Sequence, residues 1–144
     1  MITNADITLF NKSYDRENRQ DIFLPTVIKG VSLYMKQGST GDNKFRESSA
    51  TYKIRIPVDA DMGDSTYVDL AAYRKMDLQE ASKHWTLQPD SIVIPLVVDE
   101  TDVEQRASLT ELTKKYGTFI NVTDFSDNTT RGIRRMHHWR IGGI

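Results

Sequence analysis

The chain of 144 residues has the usual size of one domain, and its 38% hydrophobic and 27% charged residues match ordinary globular usage. This composition argues against a disordered chain and against a membrane protein. Nineteen Lys and Arg against twenty Asp and Glu give a formal net charge of −1, which lacks the positive excess that phosphate-driven nucleic-acid binding normally requires.

The chain contains no cysteine. This removes disulfides, thiolate metal sites and cysteine nucleophiles together, and it fits a reducing compartment. The first residues include neither a basic region nor an apolar stretch of signal-peptide length, and no segment approaches the ~20 apolar residues of a membrane span. We therefore expect a product that stays in the cell that makes it and has no membrane partner.

Apolar residues predict two strands in the first quarter of the chain. A short apolar strand over 7–10 runs into a polar stretch, residues 11–19, which is typical of an exposed turn. Residues 26–36 alternate and predict a half-buried strand with the inward set Val27, Val31, Leu33 and Met35. A long polar loop follows at 37–49, and loops of that length inside compact domains are usually functional or mobile.

Residues 52–57 alternate cleanly and predict a further strand. Its inward set is Tyr52, Ile54 and Ile56. The two cations between them, Lys53 and Arg55, are expected to point outward, and Pro57 ends the strand or marks a sheet edge.

The next segment predicts a short helix and two more strands. Asp69 suits the N-cap of a two-turn helix over 69–76. Residues 85–87 and 92–94 flank a Gln-Pro-Asp turn, a pattern that favours two strands joined by a tight connection. Pro95 indicates that the second strand soon leaves the sheet.

The last third predicts one helix and a closing hairpin. A capping box, Ser-Leu-Thr-Glu, opens a helix over 108–116, and Gly117 lies just past its end. Residues 118–125 and 136–141 are rich in β-branched and aromatic side chains, with a loop at 126–132 between them.

This order of elements predicts the fold class. It contains about six or seven short strands and two short helices, with no strand–helix alternation and no internal repeat. We expect a mainly β fold over a single domain, residues 1–144: a small β-barrel or sandwich with two short helical insertions.

No motif in the sequence indicates catalysis or a bound cofactor. Three carboxylates lie within six residues: Asp59, Asp61 and Asp64. Gly63 is displaced from the position that an EF-hand loop needs and no bidentate Glu follows, so a solvated turn is the better interpretation. His137 and His138 are adjacent and would point to opposite faces of a strand, and His84 stands apart. We expect no metal, no cofactor and no enzymatic activity.

The C-terminal segment is locally basic. Its cations are Arg131, Arg134, Arg135 and Arg140. Such a segment either meets an acidic partner or nucleic acid, or forms a solvated edge strand that its charges protect from aggregation. The density of cationic and aromatic residues slightly favours partner contact.

The sequence resembles a family of small minor structural proteins encoded in the head-to-tail gene block of tailed phages and prophages of Firmicutes. The resemblance rests on the opening Met-Ile-Thr-Asn-Ala-Asp-Ile-Thr-Leu-Phe, on residues 25–31, on Tyr-Lys-Ile-Arg-Ile-Pro-Val-Asp-Ala-Asp at 52–61, on Trp-Thr-Leu at 85–87, on residues 124–128 and on the His-Trp pair at 138–139. It spans nearly the whole chain and includes no catalytic motif.

The order of elements more loosely resembles the head-closure or stopper proteins of long-tailed phages. This resemblance implies a homo-oligomeric ring with cyclic symmetry, located in the virion neck and made in the bacterial host cytoplasm. Its neighbours would be the portal or adaptor ring on one side and the tail terminator or tube on the other. Packaged DNA would pass through the lumen without sequence-specific binding.

The resemblance also implies where subunits touch. The loop at 37–49 would be a plug or an inter-subunit arm, and its Phe45 and Arg46 would contact a subunit or partner. From the charge of the C-terminal segment we also expect Arg131, Arg134 and Arg135 to contact a subunit or partner. Two other functions remain open: a tail-terminator or tail-completion protein, and a small OB-like barrel that binds nucleic acid. A phage-encoded hydrolase without a recognisable site is a further alternative.

Overall fold

The computed structural model describes residues 2–38, 49–98, 109–130 and 132–144. Only the backbone is described for residues 37, 38, 49, 50, 109–111, 113 and 135. The strands are β1 Ala5–Asp15, β2 Gln20–Gly38, β3 Ser49–Pro57, β4 Thr66–Tyr67, β5 His84–Trp85, β6 Ile92–Ile94, β7 Ile120–Asn128 and β8 His138–Gly143. The helices are α1 Leu70–Arg74, α2 Leu78–Ala81 and α3 Leu109–Tyr116, with a 3₁₀ turn at Arg134–Met136.

Six strands close into an antiparallel barrel in the order β1, β2, β3, β8, β7, β6. The other two, β4 and β5, form a small parallel pair. The barrel interior is filled by aliphatic side chains, among them Ile7, Leu9, Ile28, Val31, Ile54, Ile56, Val93, Ile120 and Ile141. The predicted mainly β barrel is confirmed.

Strand β2 bends at Gly30, where a β-bulge changes which residues face the core. Gly30 has a φ of 80°, a left-handed conformation that glycine adopts at little cost, and β1 pairs with the residues on either side of it. Ile28 and Val31 are therefore both fully buried although they are three residues apart. The prediction that Val27 and Met35 face the core is wrong: Val27 is half-buried and Met35 is exposed.

Strand β1 continues past the point where an exposed turn was predicted. It pairs with β2 as far as Asp15, so that only residues 16–19 form the turn. Residues 7–11 are all buried, because core lies on both faces of this strand. The prediction is wrong at Asn11, which is 1% exposed: its amide is hydrogen-bonded inside the protein, so its polarity does not signal exposure.

The predicted tight hairpin between residues 85–87 and 92–94 is also wrong. Strand β5 pairs in parallel with β4, and β6 instead lies between β1 and β7, where it closes the barrel. Pro95 does follow the end of β6, as predicted. The two-residue pairing of β4 with β5 depends on tertiary packing and leaves no periodic signal in the sequence.

The C-terminal hairpin is confirmed, with a longer first strand than predicted. Strands β7 and β8 pair from Val122 opposite Gly143 to Asn128 opposite His138, and a bulge skips Thr123. The predicted loop at 126–132 therefore begins three residues too early, because 126–128 belong to the strand.

The helices follow their caps. The carboxylate of Asp69 accepts a hydrogen bond from the Ala72 N–H at 2.7 Å, which confirms the predicted helix α1. Asp77 caps α2 in the same way, but a four-residue helix has too few turns to be predicted from periodicity. Helix α3 confirms the predicted C-terminal helix, although Ser108 of its capping box lies outside the described residues. The part of the chain that the structure describes therefore holds three helices in its insertions, where two were predicted.

Candidate functional site

Two hairpins extend beyond the closed part of the barrel. The last pair between β1 and β6 is Phe10 with Ile92, so the rungs of the β1–β2 hairpin from residue 11 to residue 15 lie past β6. The last pair between β3 and β8 is Tyr52 with Gly143, so three further rungs of the β2–β3 hairpin lie past β8. Both hairpins belong to β2, a strand of 19 residues, and they occupy its opposite ends.

Two side-chain amides join the β1–β2 hairpin to the segment after β5, and each forms hydrogen bonds to both the backbone N–H and the carbonyl of one residue. The amide of Asn11 accepts from the Thr86 N–H at 3.1 Å and donates to the Thr86 carbonyl at 2.9 Å. The amide of Gln88 does the same to Lys12, accepting from its N–H at 2.8 Å and donating to its carbonyl at 3.2 Å. This reciprocal pairing holds the segment after β5 against β1 without a regular sheet.

Three aromatic rings close one end of the barrel. Tyr67, Trp85 and Trp139 lie with ring centroids 5.0 Å apart in each pair, and the Trp85 indole N–H donates to the Met62 sulfur at 3.2 Å. Burial raises the pKa of the Tyr67 hydroxyl, and the carboxylates of Asp127 and Asp69 raise it further. The barrel is therefore a packed core and not a pore.

The outer face of the sheet formed by the second half of β2 with β3, β8 and β7 is strongly basic. We call it the basic sheet face, and its cations are Lys36, Lys53, Arg55 and Arg140. Tyr34, 43% exposed, pairs with Lys53 in the middle of this face. Asp124 is its one carboxylate among the described residues, so cations exceed anions there by three.

Two of these cations lie directly opposite each other. Arg55 on β3 pairs with Arg140 on β8, and like charges in a cross-strand pair are destabilising. Arg140 is partly compensated: its guanidinium donates to Asp124 at 2.8 Å and to the Ser126 hydroxyl at 3.2 Å. Arg55 has no ion-pair partner within 4.0 Å among the described residues. The sheet thus carries a local electrostatic cost at this pair.

A comparison with protein-family models matches residues 2–144 to the Family of unknown function (DUF6751). The chain belongs to this family. Comparisons with curated proteins and with solved structures found no match. This DUF6751 chain thus folds into a six-stranded barrel with two hairpins that extend past it. Since the family has no known function, the function is inferred from the geometry of the molecule.

Three of the five contact residues predicted for this DUF6751 chain, Phe45, Arg46 and Arg131, lie outside the described residues. Arg134 is exposed at the start of the 3₁₀ turn. Arg135 belongs to the same turn by its backbone, and its side chain is not described. The loop predicted over 37–49 is shorter than expected, because residues 37, 38 and 49 belong to strands; the rest of it lies outside the described residues.

The histidines and acidic residues are engaged locally. His138 donates from Nδ1 to the Met136 carbonyl at 2.8 Å, and its Nε2 lies 3.3 Å from the Asn128 amide. His84 Nδ1 lies 2.7 Å from the Thr66 hydroxyl, and no described residue orients its other ring nitrogen. Asp61 accepts from the Gly63 N–H at 3.0 Å and so stabilises its own turn. The described residues contain no cluster of three His, Asp or Glu placed for a metal ion.

Only part of the basic sheet face could be predicted from the sequence. The outward direction of Lys53 and Arg55 follows from alternation within one strand, and that prediction is confirmed. The alignment of Arg55 with Arg140 depends on which strands pair and in which register, since the two residues are far apart in sequence. Within the described residues, no helix has both the length and the apolar character that a bilayer crossing needs.

Proposed function

We propose that this chain is a structural ring subunit of a tailed-phage neck, which joins the portal or adaptor ring to the tail and closes the DNA channel. The observation that carries the proposal is the pair of hairpins at opposite ends of β2 on a closed, solid barrel. A closed barrel has no free sheet edge along its wall, so contacts with neighbours must use hairpins and side-chain faces.

A cyclic ring repeats one head-to-tail contact, and each subunit therefore needs two different surfaces that complement each other. Hairpins at opposite ends of β2 suit this requirement. One hairpin can contact the neighbouring subunit, and the other can contact a second ring. The aromatic closure at Tyr67, Trp85 and Trp139 fills the barrel, so DNA would pass along the ring axis between subunits.

In this proposal the protein is made in the bacterial host cytoplasm and ends in the virion neck. Its partners are further copies of itself, the portal or adaptor ring and the tail terminator or tube. DNA slides through the lumen without sequence-specific contact, and the net charge of −1 suits a channel that does not grip it. A tail-terminator or tail-completion protein would form the same kind of ring, but the ring would contact other proteins of the neck and tail.

Two measurements on phage particles from cells that carry the gene test the proposal: mass spectrometry, and electron microscopy with immunogold labelling of this chain. The chain should be present in purified particles at the head–tail junction. Disruption of the gene should give DNA-filled heads that lose their DNA or fail to join tails. A chain absent from purified particles contradicts the proposal.

A nucleic-acid-binding barrel is the second candidate, and the basic sheet face with Tyr34 is the observation that favours it. Titration with single-stranded DNA at low and high salt tests it. Binding that weakens steeply with salt supports this candidate, whereas no binding at low salt removes it.

A further inference from the structure

A recess of about 310 Å³ lies between the β1–β2 hairpin, helix α1 and residues 88–90. We call it the hairpin recess. The amide of Gln88 bonds both the N–H and the carbonyl of Lys12, which holds two of its walls together. The polar side chains that decide its chemistry are Lys12, Arg16, Asp21, Tyr73, Arg74 and Asp90.

The hairpin recess carries more positive than negative charge, since three cations line it against two carboxylates. Lys12 lies 3.4 Å from Asp21, and together these two side chains are neutral. Arg16 and Arg74 are exposed, and neither has an ion-pair partner within 4.0 Å among the described residues. Their guanidinium groups are therefore available for an anion, although the carboxylate of Asp90 opposes its approach.

A buried hydroxyl without a partner belongs to the same recess. Tyr73 lines it but is only 2% exposed, and its hydroxyl bonds no described residue. Burial raises the pKa of this hydroxyl to about 12, so at neutral pH it keeps its proton and can donate. The cations in the wall have long, flexible and at least partly exposed side chains, which can move aside and let an acceptor reach the hydroxyl.

We propose that the hairpin recess binds the oxyanion group of a small molecule, either a phosphate ester or a carboxylate. Arg16 and Arg74 bind the charged oxygens, because the fork of a guanidinium group matches the geometry of both oxyanions. The Tyr73 hydroxyl donates a further hydrogen bond and so gains the acceptor that it lacks in the free protein. This site goes beyond the proposed ring function and does not depend on it.

The size and the remaining walls of the hairpin recess favour a small molecule over a polymer. Its volume lies at the lower end of the range of about 300–1,000 Å³ that is typical of small-molecule pockets. Tyr14, Met76 and Pro89 provide apolar surface for the uncharged part of such a molecule, and the Tyr14 ring is exposed and accessible.

Titration of the isotope-labelled full-length chain with inorganic phosphate or with acetate, followed by NMR, tests the site. The ions should shift the backbone amide signals of residues 12–16, 73–76, 88 and 90 more than those of Lys53 and Arg55 on the basic sheet face. Tighter binding of phosphate than of acetate assigns the site to phosphate esters, and the reverse order assigns it to carboxylates.

Two arginine substitutions test the charge of the site. Arg16→Gln/Arg74→Gln should lower the affinity for the ion at least about 10-fold, because two charge-assisted hydrogen bonds are lost. Lys53→Gln/Arg55→Gln removes the same charge from the basic sheet face and is the matched control, which should leave the affinity unchanged.

Tyr73→Phe tests the hydroxyl separately from the fold. It should lower the affinity by about 3- to 10-fold through the loss of one hydrogen bond. The hydroxyl bonds no described residue in the free protein, so the variant should remain folded, which circular dichroism checks. Tyr14→Phe is the control and should bind as wild type does.

Three results would overturn the site. They are an absence of localised shifts with either ion at millimolar concentrations, shifts that Arg16→Gln/Arg74→Gln leaves unchanged, and an affinity that Tyr73→Phe does not alter. Each can occur whether or not the chain is found in virion necks, so failure of this site is distinct from failure of the ring proposal.

Discussion

The hydroxyl of Tyr73 is buried in helix α1 without a hydrogen-bond partner among the described residues, and burial raises its pKa from 10.0 to about 12. The unfolded chain therefore releases this proton first as pH rises. Tyr73 therefore leaves the free energy of unfolding unchanged below pH 10 and lowers it as the pH rises from 10 to 12. The loss at pH 11 is about 1 kcal/mol.

At pH 8 the unfolding midpoint of Tyr73→Phe should therefore lie at the same or a slightly higher denaturant concentration than that of wild type, because the substitution removes no hydrogen bond. At pH 11 the variant should be more stable than wild type by about 1 kcal/mol. Denaturant titration at both pH values measures this difference. Tyr14→Phe, at an exposed position, is the control, and an equal response of both variants to pH contradicts the assignment.

Gly143, on β8, lies close to the first residues of β7. A Cβ at this position would contact the Ile120 methyl group and would lie 2.5 Å from the backbone oxygen of Asn121, which cannot move without disturbing the sheet. Gly143→Ala should therefore lower the unfolding free energy by about 1–3 kcal/mol.

Gly142 provides the comparison for this prediction. The atoms nearest to a Cβ there belong to the carboxylate of Asp124, the end of a flexible side chain. Gly142→Ala should cost less than Gly143→Ala in thermal unfolding, mainly through the ion pair of Asp124 with Arg140. The reverse order would contradict the packing described for β7 and β8.

Among the elements, the attachment of the β1–β2 hairpin depends on buried amides more than on apolar packing. Asn11→Ala leaves the Thr86 N–H and carbonyl without their side-chain partner in a buried site, so it should cost about 2–4 kcal/mol. Asn121→Ala, at an exposed strand position, should change stability by less than about 1 kcal/mol. Equal costs at the two positions, measured by chemical denaturation, would contradict this role of Asn11.

How far each element could be predicted depends on how many of its faces meet water. Strand β3 alternates because one face is solvated, and its inward and outward residues were predictable. Strand β1 is buried on both faces and includes Asn11, so its polarity gave no reliable boundary. In β2 the bulge at Gly30 shifts the alternation, and a single sequence does not distinguish such a glycine from one in a turn.

The candidate site divides in the same way. The outward cations Lys53 and Arg55 follow from a local pattern. Their alignment with Arg140 arises from barrel closure and could not be predicted from spacing.

The whole molecule is a solid barrel, and in the proposed function it contacts its partners through its outer surfaces. The interior is filled by aliphatic side chains and closed by three aromatic rings, so a ligand or DNA strand has no route through it. The hairpins at the two ends of β2 and the basic sheet face remain for contact with other chains. A neck ring uses all of these features, and we propose that function for this reason.

Cryo-electron microscopy of the neck in particles from cells that carry the gene tests this claim most directly. We expect a cyclic ring of six-stranded barrels between portal and tail, whose copies touch through their hairpins and outer side-chain faces. A neck without this chain, or a ring whose copies touch through other surfaces only, would contradict it.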